Sequence, residues 1–278
     1  MKRKTIKDEI TYNGIGLHKG EKIEIKLRPV TDYSGITFKR VDLPGDNEIK
    51  VSPDNLFELE RGTNIRNSSG AMVYTIEHIM SVFHITGITD LLVEINGNEL
   101  PIMDGSSVIF IEKINETGLI ELERDIEPVV ITEPVYFSEE KDGKYIIALP
   151  YDGFKISYTI DFGHTFLKAQ YYEIDLNQEN YTKEIAPART FCFDYEIEYM
   201  QSHNLALGGS LENAIVIKKD GVINPEGLRY ETEFIRHKIL DLIGDIYILN
   251  RPVKGHLIAV KAGHFINSKL SEKLKSLI

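Results

Sequence analysis

The sequence predicts an α+β fold made of two similar domains, each a two-layer α/β sandwich, and three observations carry that prediction. Lys22-Ile-Glu-Ile-Lys-Leu in the first half and Lys155-Ile-Ser-Tyr-Thr-Ile-Asp-Phe in the second alternate polar and apolar residues with the two-residue period of half-buried strands. A charged joint, Glu121-Leu-Glu-Arg-Asp-Ile-Glu, ends at Pro128, and the strand pattern then restarts with Pro128-Val-Val-Ile and Pro134-Val-Tyr-Phe. Each half closes with the same order of helix, strand and helix. The expected division is residues 1–124 and 125–278, which suits a chain of 278 residues, larger than the usual single core.

The closing elements follow from local pattern. In the first half a helix is expected near residues 75–83, with Thr75 as its cap, followed by the strand Leu91-Leu-Val-Glu-Ile. Asp104-Gly-Ser-Ser then opens a helix that passes Phe110 and ends about residue 115. In the second half a helix near residues 231–249 leads to the strand His256-Leu-Ile-Ala-Val, and Gly263-His-Phe-Ile-Asn-Ser opens a last helix to residue 277. Aligning the helix starts sets Glu77-His78 opposite Arg236-His237. Two such domains packed face to face bring both histidines to one interface, where the site is expected.

Composition narrows the function. A formal charge of −11 argues against nucleic acid as a partner, because phosphate backbones need a basic surface. No run reaches the roughly 20 apolar residues of a membrane span, so no stable membrane insertion is expected. Met-Lys-Arg-Lys is not followed by an apolar core, which speaks against a signal peptide. The lone Cys192 excludes an internal disulfide and a Cys-rich zinc knuckle, and fits a reducing, cytoplasmic setting.

On the helix Arg236-His-Lys-Ile-Leu-Asp-Leu-Ile-Gly-Asp245, residues four apart share a face, so His237, Asp241 and Asp245 form one stripe with Lys238 at its margin. An imidazole and a carboxylate one turn apart make a two-point metal clip; a solvated face with a helical ion pair is the competing reading. Glu77 and His78 point about 100° apart on their helix. That suits His78 as a ligand and Glu77 as a general base, kept ionised by the helix N-terminus. His78, His237 and Asp241 then supply three ligands for Zn²⁺ and leave a fourth position for water, and Fe²⁺ fits the same donors. His264 is placed to donate a proton to a leaving amine, with Asp245 fixing its tautomer. Thr190 and Lys238 are candidates for holding an oxyanion or a sugar hydroxyl. Phe191, Phe193, Ile197 and Met200 either line an apolar groove or pack a helix on the core. His18 lies in the Gly-rich turn Asn13-Gly-Ile-Gly-Leu-His-Lys-Gly, a loop signal before it is a phosphate cradle.

Seven strings together resemble one family. They are Gly14-Ile-Gly-Leu-His-Lys-Gly20, Thr75-Ile-Glu-His-Ile-Met80, Glu99-Leu-Pro-Ile-Met-Asp-Gly-Ser106, Ala188-Arg-Thr-Phe191, the stretch 205–216, Phe234 to Asp245, and Gly263-His264. In this order they resemble the zinc-dependent UDP-3-O-acyl-N-acetylglucosamine deacetylases of Gram-negative lipid A synthesis. The resemblance implies zinc on His78, His237 and Asp241, Glu77 as base, His264 as acid backed by Asp245, and Thr190 and Lys238 at the reacting acetamide or sugar. It also implies a small insert in each domain, the second forming an apolar passage for the acyl chain across residues 191–215. Leu17, His18, Phe191, Cys192, Ile197 and Met200 are then expected at the substrate, an acylated UDP-amino-sugar taken by a monomer. Cys192 stands where family members commonly have Gly, and Phe162-Gly-His-Thr-Phe departs from the usual Asp/Asn-His-Pro. Two rivals stay open: a zinc amidohydrolase of the same fold acting on a different acylated nucleotide sugar, and a noncatalytic nucleotide-sugar-binding regulator.

Overall fold

The structure, a computed structural model, describes residues 1–277. Two sheets share one strand order. In the first, the neighbours run Ile10–Ile15, Lys22–Pro29, Leu91–Ile95, Ile36–Arg40 and Glu48–Lys50. In the second they run Val135–Glu139, Lys144–Leu149, Val253–Val260, Phe154–Ile160 and Gln170–Asp175, with Val129–Val130 beside Val253–Val260. In each sheet the last strand in the chain enters between two earlier ones, antiparallel to one (Ile25 opposite Ile95; Ile147 opposite Ile258) and parallel to the other (Phe38 beside Val93; Ser157 beside Ile258). A parallel neighbour requires a crossover. The crossovers are helix α1 (Glu77–Thr86) in the first half and the long helix of the second. The echo read from the sequence is thus a repeat of topology.

The remaining helices are α2 (Val108–Thr117), a one-turn α3 (Gln178–Asn180) that runs into a π-helical turn at Tyr181–Ile185, α4 (Asp194–Ser202), the second crossover α5 (Glu233–Ile246) and α6 (His264–Lys275). Each crossover carries an insert at the same place, between the outgoing strand and its helix. The first is the small sheet Leu56–Phe57, Asn64–Arg66 and Met72–Val73. The second is Phe191–Phe193, Ile215–Lys218 and Gly221–Val222 with α4.

The two crossover helices pack on each other at the centre of the molecule. Ile79, Met80, Val82 and Phe83 of α1 and Ile239, Leu240, Leu242, Ile243 and Ile246 of α5 are fully buried, as expected for helices covered on all sides. Gly244 sets their closest approach. A methyl group at its α-carbon would lie 2.0 Å from the carbonyl oxygen of Glu77, and only hydrogen fits there.

One expectation needs correction here. Thr75 does not cap α1: the helix starts at Glu77, its cap position is Ile76, and no side chain bonds there. Thr75 is in left-handed backbone at φ 61°, and its hydroxyl donates instead to Glu99 at 3.3 Å. The charged joint falls partly in a strand, Leu119–Asp125, paired antiparallel with Lys2–Ile6. Its alternating charges face solvent, and its last residue marks the expected division.

Gly244→Ala is expected to lower the unfolding free energy by about 1–3 kcal/mol through overpacking. Urea titration measures this, and wild-type stability would show that the two helices have room to part.

Candidate active site

The stripe on α5 is buried. His237, Asp241 and Asp245 are each 3% exposed or less, which removes the solvated-face reading. Because α1 lies against this face, the His78 ring meets the His237 ring edge-on at 5.0 Å. The Nε2 atoms of His237 and His78 lie 3.4 and 3.8 Å from Asp241 Oδ1. One ligand atom from each of the three residues lies within 4.8 Å of the other two.

The donor chemistry fits a divalent metal. His237 Nδ1 donates to the Ala188 carbonyl at 3.0 Å, so its proton sits there and the Nε2 lone pair faces the cluster. Burial lowers the pKa of both imidazoles, that of His78 to about 3 with His237 adding to the effect, so both are neutral as ligands must be. Burial would raise Asp241, but Lys238 and the surrounding histidines outweigh it and hold the carboxyl well below its ordinary range. Lys238 donates to Asp241 Oδ2 at 2.6 Å, leaving Oδ1 turned toward the histidines. This is a tighter tie for Lys238 than the sequence suggested, although the residue also lines the cavity.

Glu77 and His264 stand on either side of this cluster, with donor atoms of Glu77, Asp241 and His264 again within 4.8 Å of one another. Burial raises Glu77 to about 7; His264 opposes the rise, while Asp241 and Asp245 add to it. Its start-of-helix position therefore does not keep it an ordinary carboxylate, as had been expected from the helix dipole. A group near 7 is matched to proton abstraction at neutral pH. His264 Nδ1 donates to Asp245 at 3.0 Å. Burial would lower this imidazole, but the charge and hydrogen bond of Asp245 prevail and raise it to about 9. Asp245 itself is behind the site and is also bonded by Asn267 Nδ2 at 2.8 Å and by the Thr63 hydroxyl.

A cavity of about 680 Å³ opens over these groups. Its walls include Thr190, Leu17, His18, Phe191, Cys192, Ile197 and Met200, so every residue expected at the substrate reaches it. Cys192 is a half-buried thiol, pushed by burial to about 11 and thus protonated. Phe191 stacks edge-on against Phe234 at 5.1 Å and stands 6.2 Å from the His237 ring, tying the apolar wall to the His78–His237–Asp241 cluster. Phe191 and Cys192 belong to the short strand, whereas Ile197 and Met200 come from α4.

Several contributors escaped the sequence reading. Arg189 is buried and pairs with the fully buried Glu233 at 2.9 Å, anchoring the segment that offers the Ala188 carbonyl to His237. Glu99, also buried, accepts the backbone N–H groups of His18 and Lys19 at 2.8 and 2.9 Å and so fixes the Gly-rich turn as a wall. Thr63 and Asn267 hold Asp245 from elements far apart in the chain. Arg189 and Glu99 lie within quoted motifs; nothing local marks Thr63 or Asn267.

Comparison with known proteins identifies the family of the chain. A family model described as UDP-3-O-acyl N-acetylglycosamine deacetylase matches residues 3–276. A UDP-3-O-acyl-N-acetylglucosamine deacetylase of Neisseria meningitidis serogroup C (strain 053442) is 44% identical over 274 residues, 97% of this chain and 89% of the relative. One from Leptospira biflexa serovar Patoc (strain Patoc 1 / Ames) is 42% identical over 276 residues, 99% of this chain and 90% of its own. That of Chromobacterium violaceum is 40% identical over 274 residues, 98% and 90% of the two chains. With the match running through both halves and every element of the site, the chain belongs to the UDP-3-O-acyl N-acetylglycosamine deacetylase family.

Proposed function

We propose that this protein hydrolyses the N-acetyl group of UDP-3-O-[(3R)-3-hydroxyacyl]-N-acetylglucosamine, giving acetate and the free amine, with zinc on His78, His237 and Asp241. This would be the committed step of lipid A synthesis, carried out in the cytoplasm by a monomer. One chain supplies the ligands, base and acid, with Glu77 and His78 in the 1–124 domain and the others in 125–278. The observation that carries the reading is the convergence of two neutral imidazoles and an ionised Asp241 with Glu77 and His264 beneath a cavity that has an apolar wall. Fe²⁺ fits the same donor set.

An ion held by His78, His237 and Asp241 would supply Lewis acidity for water and for the amide carbonyl. Glu77 takes the proton of the attacking water. Thr190 and Lys238 donate to the developing oxyanion from the cavity wall. An amine leaves poorly as an anion, so His264 delivers a proton to the nitrogen while Asp245 holds its ring by Nδ1. Burial removes competing water and strengthens each of these charges. Phe191, Cys192, Ile197 and Met200 receive the acyl chain, and Leu17 and His18, whose carbonyls accept from Gly208 and Leu207, also contact the substrate.

Glu77→Gln is expected to keep stoichiometric metal, measured by elemental analysis, and lose activity by about 10²–10⁴-fold. His237→Ala is expected to lose both metal and acetate release. Full activity in either variant would overturn the assignment.

The alkaline limb of kcat is expected near pH 9. His264 acts as an acid only while protonated, so the rate falls as pH rises through its raised pKa. Asp245→Asn removes the charge that raises it and should shift the limb downward, toward the ordinary imidazole value of about 6.5. A pH–rate profile with an unmoved limb would reject His264 as the acid.

A further inference from the structure

We infer that Thr63, in the first insert, is a positioning residue that fixes the distance between base and acid. All three of its polar groups are committed to the site. Its N–H donates to Glu77 Oε2 at 2.9 Å. Its carbonyl accepts the N–H of Ile76 at 3.0 Å, at the start of α1. Its hydroxyl donates to Asp245 Oδ1, and the same oxygen is 3.4 Å from His264 Nδ1. Thr63 is 2% exposed. It thereby joins the first domain's base to the group that orients the second domain's acid, across 182 residues of sequence.

Gly62 makes this approach practicable. A methyl group at its α-carbon would be 3.1 Å from Glu77 Oε1, so a larger residue would press on the carboxylate. Asn64 completes the clamp by accepting the N–H of Thr75 at 3.0 Å, in the left-handed residue just before the helix. The insert thus grips both ends of the turn that presents Glu77. With the Thr63 hydroxyl gone, Asp245 keeps Asn267 and His264 as partners but loses its link to the base side. Proton abstraction and proton delivery would each still have a group, held in a less fixed relation.

The inference rests on the deacetylase reading, and the test separates the two. Thr63→Val, Thr63→Ala and Thr63→Ser are compared with wild type for acetate release, metal content and unfolding midpoint. Thr63→Val is expected to lower kcat by about 10²-fold, with KM and metal content unchanged, and Thr63→Ser to recover most of the loss. Thr63→Ala replaces it as the test should Thr63→Val fail to fold. An active wild type with kcat unchanged in both Thr63→Val and Thr63→Ala overturns this inference alone. So does a Thr63→Ser variant as slow as the others, or a loss that follows stability or metal content. A metal-loaded wild type that releases no acetate overturns both readings.

Discussion

The contact of α1 with α5 through Gly244 is the constraint on which the rest of the molecule depends. Each helix belongs to a different sheet and carries a different part of the chemistry. With no side chain at residue 244, the backbone of α5 lies directly on the backbone of Glu77. That contact places a histidine of one domain within reach of a histidine and an aspartate of the other. A larger residue there would push the Glu77 backbone, and His78 with it, away from α5. The apolar residues around the helices hold the contact in place, so stability and site geometry derive from the same packing.

Burying this many polar groups carries a desolvation cost of several kcal/mol for each isolated charge, and the structure meets it by pairing. Asp241 has Lys238, Asp245 has three donors, and Arg189 has Glu233. Glu77 is the exception. It accepts the Thr63 N–H, and the nearby His264 charge does not outweigh burial, which moves it toward neutral pH. The group proposed to move a proton is therefore the one whose ionisation is least secured by the protein.

Much of the architecture was legible because strands and helices have fixed periods. Lys22–Pro29 and Phe154–Ile160 read as strands from alternation alone, and the spacing of His237, Asp241 and Asp245 placed them on one face. Local pattern failed where a distant residue won the competition. Thr75 has the chemistry of a cap, but Glu99 takes its hydroxyl. Glu77 sits at a helix start, but burial by both domains outweighs the dipole. Thr63 carries no signal because the partner of its hydroxyl, Asp245, lies 182 residues away in the chain.

The two inserts occupy equivalent slots in a repeated topology, yet one reaches inward to Glu77 and Asp245 while the other turns an apolar wall toward the cavity. The repeated topology thus offers two equivalent openings that are filled in different ways. The two inserts also touch, since Arg61, two residues before Thr63, pairs with Glu196 of α4 at 3.2 Å. The proposed acyl-chain wall and the segment that holds Glu77 and Asp245 therefore meet at one ion pair, so a change in the wall has a short route to the proposed proton-transfer groups.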